Sequence, residues 1–416
     1  MQETPKGNRP HIGVFGRRNA GKSSLINSLT NQELALVSDI PGTTTDPVYK
    51  AMELQPLGPV IMIDTAGIDD SGELGELRVK KTLEVIRKID LAVLVIDPKH
   101  GIEAYEKDLL NRFSGANTPV VPVINKVDLN FEQENVINKI KNESKVKPIL
   151  VSTINELGIE ELRGEIVSRM PADTEESFIV GDLVNPGDTI VLVTPIDLAA
   201  PKGRLILPQV QTIRDILDHD GITMVCKERE LKLCLDKLKE APKLVVTDSQ
   251  AFMKVDADVP EDVLLTGFSI LFARYKGDLE IFLRGAKKME NLKAGDKILI
   301  AEACTHRRQA DDIGTVKLPR WMRSKVGGDL EFDHVSGREY PENLTDYDLI
   351  LHCGACMLNK KEVISRIKEA DSLGVPVINY GMAIAQLHGI LDRALKPFAS
   401  AYRMWMAEKE KISKKY

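Results

Sequence analysis

The sequence predicts an α/β protein made of three parallel-sheet domains. Two observations carry that expectation. Short, continuous apolar runs alternate with amphipathic stretches from one end of the chain to the other, and apolar strands joined by helices imply sheets covered on both faces. The chain has 416 residues, too many for one ordinary domain. The pattern pauses at Pro171, before an acidic run, and again near residue 263. These pauses divide the chain into domains at 8–171, 178–262 and 265–400.

In the first domain "HIGVFG", "VIMID", "LAVLVID", "VVPVIN" and "KPILVS" read as buried strands. "ELRVKKTLEVIRKI" and "FEQENVINKIKNE" have helical periodicity between them. In the second, "TIVLVTP", "GITMVC" and "KLVVTD" are strands, and "LPQVQTIRDILDHD" and "KERELKLCLDKLKE" are helices. This block carries no chemical motif. Its Cys226 and Cys234 lack ligand spacing and read as buried thiols. In the third, "DKILIAEACT", "LEFDHVSG", "YDLILHCG" and "VPVINYG" are strands, "KKEVISRIKEADSLG" is a helix closed by Gly374, and "KEKISKKY" is a solvated basic tail.

Composition narrows the function. Charged residues make up 28% and the formal net charge is −6, which disfavours nucleic acid as the main partner. No run approaches the roughly 20 apolar residues of a membrane span, and "MQETPKGNRP" has no signal-peptide core, so a cytoplasmic protein is expected. Five cysteines are too few for a disulfide framework, and clustered ones read as ligands or nucleophiles.

Residues Gly16–Ser23 spell G-x-x-x-x-G-K-S between a strand and the helix "SSLINSLT", the context a phosphate loop needs. Its backbone N–H groups and the helix N-terminus face phosphates. Lys22 reaches the β/γ-phosphates and Ser23 offers its hydroxyl to Mg²⁺. In "DTAG", Asp64 supports Mg²⁺ and the Gly67 amide senses the γ-phosphate. In "NKVD", the Asp128 carboxylate accepts from guanine N1–H and its exocyclic amine, while Asn125 braces base and loop, so the site selects GTP. Ser152 and Thr153 fit the last guanine motif, and Asn19, Ala20, Gly21, Ser24 and Lys126 complete the expected pocket. Catalysis falls to Lys22, Ser23, Asp64, Gly67 and a threonine of the loop "PGTTTD".

On these motifs, residues 8–170 resemble the Era/tRNA-modification branch of the Ras-like GTPases. That resemblance implies Thr44 as the Mg²⁺ threonine, although Thr45 stands where the branch usually has arginine. Ile68 replaces the glutamine that orients water in Ras-like proteins, and an aliphatic side chain cannot do that. In the resembling branch an asparagine at the position of Asn19 helps hold a potassium ion that acts as an arginine finger. A slow, potassium-stimulated GTPase is the expectation.

The third domain holds "EACTHRRQ", with Cys304 and His306, and "HCGACMLNKK", with His352, Cys353 and Cys356. Both follow strands, and in open parallel sheets functional groups gather beyond the carboxyl ends of strands. Three cysteines and two histidines suit Zn²⁺ or an iron–sulfur cluster, and spacing alone leaves both open. A helix starting near Asn359 directs its N-terminus toward an anionic cluster.

A GTPase domain, a motif-free α/β middle and a distal C-x-H…H-C-x-x-C together resemble the HydF family of [FeFe]-hydrogenase maturation GTPases. The resemblance implies a Ras-like P-loop GTPase domain followed by two smaller parallel-sheet α/β domains. It implies a [4Fe–4S] cluster on Cys304, Cys353 and Cys356, with His306 or His352 as candidate fourth ligand, and a homodimer through the middle domain. It further implies that a transient diiron precursor is accepted from radical-SAM hydrogenase maturases and delivered to apo-[FeFe]-hydrogenase. The rival expectation is an RNA-binding GTPase of ribosome or tRNA maturation with structural zinc. The basic, aromatic segment "KLPRWMRSK" at Lys317–Lys325 is its feature, read otherwise as a solvated basic loop or a loop offering charge to an anionic cluster.

Overall fold

A computed structural model gives the structure of the protein and describes residues 7, 9–30, 47–65, 73–129, 132–171, 178–195, 205–303, 312–337, 340–341, 343–355 and 358–413. The chain forms two compact units, Met1–Glu175 and Glu176–Tyr416.

The first unit contains β1 (His11–Phe15), α1 (Lys22–Thr30), β2 (Val48–Leu54), β3 (Gly58–Asp64), α2 (Glu73–Ile86), β4 (Leu91–Ile96), α3 (Ala104–Gly115), β5 (Val120–Ile124), α4 (Gln133–Ser144), β6 (Ile149–Leu150) and α5 (Ile159–Arg169). The six strands form one sheet in the order β2-β3-β1-β4-β5-β6. Among the described strands, β2 and β3 pair antiparallel and the other neighbours pair parallel. Successive side chains of a strand point to opposite faces, so each buried strand feeds two cores. Leu91, Val93 and Val95 of β4 join Ile12, Val14 and Leu25 on one face. Ala92, Leu94 and Ile96 join Phe15, Ile63 and Phe113 on the other. That is why these strands read as unbroken apolar runs. β1 lies between β3 and β4, so the sheet's order reverses around it, and the loop leaving its carboxyl end sits at a topological switch point.

The second unit contains β7 (Thr189–Val193), α6 (Leu207–Asp218), β8 (Ile222–Cys226), α7 (Leu231–Asp236), β9 (Leu244–Thr247), α8 (Phe252–Asp258), β10 (Leu264–Gly267), α9 (Phe268–Lys276) and α10 (Leu279–Glu290). It continues with β11 (Lys297–Glu302), α11 (Leu318–Val326), β12 (Glu331–Ser336), β13 (Leu349–His352), α12 (Lys360–Ser372), β14 (Val377–Asn379), α13 (Tyr380–Leu387), α14 (Leu391–Leu395) and α15 (Ala399–Ser413). Two parallel four-stranded sheets result, β10-β9-β7-β8 and β12-β11-β13-β14. Architecture therefore follows the expected class: a Ras-like GTPase domain and two smaller parallel-sheet α/β domains.

The two smaller domains share one continuous apolar core. Thr266 of β10 donates a buried hydrogen bond to the Ala394 carbonyl at 2.9 Å, and Asn379 Nδ2 donates to the Ser269 carbonyl at 2.9 Å. α10 packs on β14 at glycine distance, since a Cβ on Gly285 would come within 2.0 Å of the Val377 carbonyl oxygen. The middle sheet's edge strand β10 lies past residue 262, beyond the expected end of that domain. A four-residue strand bounded by helices gives little local periodicity, and its partner β9 decides where it belongs.

The segment Lys317–Lys325 corrects one reading. It is not a solvated loop but enters α11, which buries Leu318, Pro319 and Met322. Trp321 packs edge-to-face on His388 with ring centroids 5.1 Å apart, and Arg323 bonds Asp329 while lying over the Phe332 ring. Among the described residues, no helix is long and apolar enough to cross a membrane.

Candidate functional site

The phosphate loop leaves β1 at Gly16. A side chain there would drive its Cβ to 2.3 Å from the Val95 carbonyl oxygen, so only glycine lets the loop cross β4 this closely. Asn19 holds a left-handed backbone with φ 60°, a conformation asparagine tolerates. The buried Lys22 ammonium donates to the carbonyls of Gly16 and Arg17, both at 2.8 Å, which curls the loop around it. Ser24 follows Ser23 in the first turn of α1 and is exposed.

Two expected Mg²⁺-holding groups meet. Ser23 Oγ donates to Asp64 Oδ2 at 2.6 Å, across 41 residues of sequence. The parallel β1–β3 pairing aligns Val14 with Asp64 and delivers the carboxylate to the loop. Thr44, Gly67 and Ile68 lie outside the described residues.

The guanine motif is braced from three sides. Asn125 is 1% exposed, and its Nδ2 donates to the Ala20 carbonyl at 3.0 Å. Lys126 has a left-handed φ of 61°, and its ammonium sits 2.7 Å from Asp97. Burial works to raise the Asp97 carboxyl, but the Lys126 bond and the Lys99 amide outweigh it and hold the carboxyl below its ordinary range. Asp128 is exposed, and its Oδ1 accepts from Ser152 Oγ at 2.6 Å. Ser152 Oγ in turn accepts from the Asn155 amide, while Thr153 stands beside it half-buried. The structure thus gathers every described residue of the expected pocket at the carboxyl ends of β1, β3, β5 and β6.

One constellation escaped the sequence reading. Arg17, inside the loop, donates from Nε to Glu106 Oε1 at 2.8 Å and from Nη2 to Glu103 Oε2 at 2.8 Å. Glu106 is 2% exposed and also accepts from the Glu103 amide, closing a capping box at the start of α3. These Glu106 bonds, ahead of the opposing effect of burial, raise the Arg17 guanidinium above its ordinary value. The capping pattern is local and legible; its arginine partner is 89 residues away.

In the second unit, Cys304, His306 and Cys356 lie outside the described residues; His352 and Cys353 lie within them. Among the described residues no three metal-ligating side chains converge. Cys353 follows β13 directly, and its amide donates to the Ala301 carbonyl of β11 at 3.0 Å. Its Sγ accepts from the Ala303 amide at 3.1 Å and the Ala355 amide at 3.4 Å. Two N–H donors are thus aimed at one buried sulfur, which packs among Ala303, Ala355, Leu358 and Val363. Ala303, just past β11, and Cys353, just past β13, therefore lie side by side at one end of the sheet.

His352 is 1% exposed. Its Nδ1 lies 2.7 Å from the Cys353 carbonyl, which can only accept, so Nδ1 carries the proton and Nε2 keeps a bare lone pair. Among the described residues, Nε2 is buried without a hydrogen-bond partner. Burial first, then the nearby Arg366 guanidinium, push the imidazole down to about 3, so it is neutral. A cysteine sulfur beside an imidazole with an unused nitrogen is a donor set that fits a metal or iron–sulfur group. Asn359 caps α12 through the Glu362 amide at 2.9 Å, placing a helix start just after the C-x-x-C segment, as expected. Cys226 and Cys234 neighbour each other in the middle domain. Burial chiefly, with Cys234 adding, pushes the Cys226 thiol up to about 12, which suits an inert thiol.

Comparison with known proteins agrees with this layout. A family described as 50S ribosome-binding GTPase matches residues 11–126. The tRNA modification GTPase MnmE of Nitrosomonas europaea is 35% identical over 157 residues, covering 38% of this chain and 34% of that protein. MnmE of Aquifex aeolicus is 36% identical, covering 40% and 36%, and GTPase Der of Campylobacter hominis is 35% identical, covering 40% and 36%. The chain spans about a third of the length of these curated relatives. A solved structure of Era from Aquifex aeolicus bound to GDP.AlF4- has a TM-score of 0.35 at 19% identity, over 52% of this chain and 91% of that one. Beyond the GTPase domain, the hydrogen maturase F dimerization domain matches residues 179–277. The hydrogen maturase F tetramerization domain matches residues 280–397, which contain the Cys304 and Cys353 segments. With a GTPase domain followed in order by both of its characteristic domains, the chain belongs to the hydrogen maturase F (HydF) family.

Proposed function

We propose that this protein is a GTP-hydrolysing carrier that binds a [4Fe–4S] cluster, accepts a diiron precursor and delivers it to apo-[FeFe]-hydrogenase. The reading rests on family membership. The observation that carries it is the Cys353 sulfur, faced by two backbone amides, beside the buried Nε2 of His352, in one chain with a guanine-selective phosphate site.

In the nucleotide site, Lys22 leaves the Gly16 and Arg17 carbonyls for the β/γ-phosphates. Ser23 and Asp64 would hold Mg²⁺ together with Thr44, and the ion, when bound, neutralises phosphate charge. The Gly67 amide reads the γ-phosphate. Asp128, aimed by Ser152, selects guanine, and Asn125 ties base recognition to the loop. Asn19 would help hold K⁺. Ile68 cannot orient water, so hydrolysis is slow in the isolated protein.

In the second unit, Cys304, Cys353 and Cys356 would hold the cluster. Three thiolates leave one iron for an exchangeable ligand. His306, His352, a carboxylate or an exogenous group fills that position, and the unused Nε2 supports His352. The domains extend over about 8–171, 178–262 and 265–400, except that β10 completes the middle sheet, and the middle domain makes the dimer. Its edge strand β8 supports that assignment, because it is paired on one side only and exposes Ile222 and Val225. Radical-SAM maturases would supply the precursor. The nucleotide state controls when cargo moves, and the protein works in the cytoplasm.

The test uses anaerobically purified protein. Brown colour, iron and a paramagnetic signal on reduction support the cluster, whereas colourless protein holding one zinc defeats it. Alanine at Cys304, Cys353 or Cys356 is expected to remove cluster absorption and hydrogenase activation while GTP hydrolysis persists. Lys22→Ala is expected to abolish hydrolysis and keep the cluster. Equal hydrolysis rates in potassium and sodium would remove the role given to Asn19.

A further inference from the structure

Lys88 lies just past α2 and is 4% exposed. Its amide donates to the Val85 carbonyl at 3.0 Å, which turns the chain back onto the last turn of the helix. Its Nζ donates to the Tyr49 hydroxyl at 2.8 Å and stands 5.5 Å from the centroid of the Tyr49 ring. An ammonium is costly to bury unless its donors are used, so the bond to Tyr49 is part of what keeps it there.

Tyr49 belongs to β2, an edge strand that pairs only with β3 among the described strands. Val48 and Tyr49 are 46% and 41% exposed, so little apolar packing holds this end of the strand. The antiparallel register sets Tyr49 opposite Ile63 and Val48 opposite Asp64. Residues directly opposite share a face of the sheet, and Ile63 packs with Val85, Ile86 and Ile89. Tyr49 therefore lies on the α2 side. Asp64, next along β3, faces the other side, where its Oδ2 accepts from Ser23 Oγ at 2.6 Å. The bond between Lys88 and Tyr49 thus holds the β2–β3 pairing one position from the carboxylate that meets the phosphate loop.

We propose that Lys88 and Tyr49 are positioning residues for Mg²⁺ at Ser23 and Asp64. This inference rests on the reading of Ser23 and Asp64 as the Mg²⁺-holding groups. Neither Lys88 nor Tyr49 touches the ion, because the sheet lies between them and the Asp64 carboxylate. They act through the backbone pairing, by keeping the end of β2 seated on β3. Mg²⁺ demands near-ideal octahedral geometry, so a carboxylate on a fraying strand end holds it more weakly.

The experiment compares full-length wild type, Tyr49→Phe and Lys88→Met. Affinity for a fluorescent, non-hydrolysable GTP analogue is measured across a range of magnesium chloride, with an EDTA sample as the metal-free arm. Tyr49→Phe keeps the ring and removes the acceptor, and Lys88→Met keeps an unbranched stem and removes the ammonium. Both variants are expected to need about fivefold more Mg²⁺ for the half-maximal gain in affinity, with affinity in EDTA equal to that of wild type. If Lys88→Met does not fold, Tyr49→Phe decides the matter. A Tyr49→Phe curve that superimposes on wild type overturns the inference. So does an equal loss of affinity with and without Mg²⁺, since that marks loosening of the whole nucleotide pocket. A wild type whose affinity Mg²⁺ does not raise overturns the reading of Ser23 and Asp64 itself, so the two failures are told apart.

Discussion

The Asn125 carboxamide and the Ala20 carbonyl are joined at 3.0 Å across 105 residues of sequence, so the guanine motif and the phosphate loop are one rigid piece. Gly21 lies under that bond. A Cβ there would stand 2.1 Å from Asn125 Nδ2, on a left-handed backbone of φ +93°. Gly21→Ala must therefore break the bond or the loop. We expect GDP affinity to fall by roughly a hundredfold in Gly21→Ala, and by about tenfold in Asn125→Ala, which loses one buried bond. Titration with a fluorescent guanine nucleotide measures both. An unperturbed Gly21→Ala affinity would show that the loop is not held this way.

Ser152 holds Asp128 in place for the base at 2.6 Å. Removing the hydroxyl in Ser152→Ala leaves the exposed carboxylate to rotate. Affinity for GDP is expected to drop about tenfold, the equivalent of ~1.4 kcal/mol. Asp128→Asn exchanges an acceptor edge for a donor edge, so preference is expected to move from guanine to xanthine nucleotides. Competition binding with the two bases reads the change. A Ser152→Ala protein of wild-type affinity would remove the aiming role.

Glu106 anchors the loop arginine from an almost fully buried position. In Glu106→Ala, Arg17 retains only the exposed Glu103 carboxylate. Loss of a buried partner to a charged donor costs ~2 kcal/mol. We expect a lower denaturation midpoint for the first unit and a raised KM for GTP with kcat largely kept, since Glu106 touches no phosphate. A fall in kcat at constant KM would place it in the chemistry instead.

The exposed edge of β8 bears on self-association. Ile222 is 55% exposed and Val225 45%, on a strand whose outer row of backbone groups pairs with nothing among the described strands. A lysine on such an edge opposes pairing with a second copy. Ile222→Lys and Val225→Lys are expected to shift the sedimenting species toward monomer without lowering the melting temperature of the chain. A variant that sediments as wild type would move the contact elsewhere, with the domain matched to tetramerization the next place to test.

The sequence by itself determined the chemistry that is contiguous. A phosphate loop needs glycines at set positions because backbone, not side chain, must approach phosphate. Gly16 and Gly21 therefore announce it in eight residues. Asp64, Asn125 and Asp128 are legible for the same reason, each at or shortly past the end of a strand whose apolar run is visible. Cysteine and histidine types mark the second candidate site in the sequence. Tertiary structure alone decided the partners. Nothing local to Ser23 says that Asp64 will lie against it; the parallel register of β1 on β3 does. Arg17 reaches Glu106 because β1 and β4 are neighbours, and β10 belongs to the middle sheet because β9 accepts it. Arg366 reads in sequence as one more cation on an amphipathic helix. Only the packing of α12 against the end of the sheet buries it over the Tyr340 ring, because burial and partner choice depend on strand order and are not stored in any window of adjacent residues.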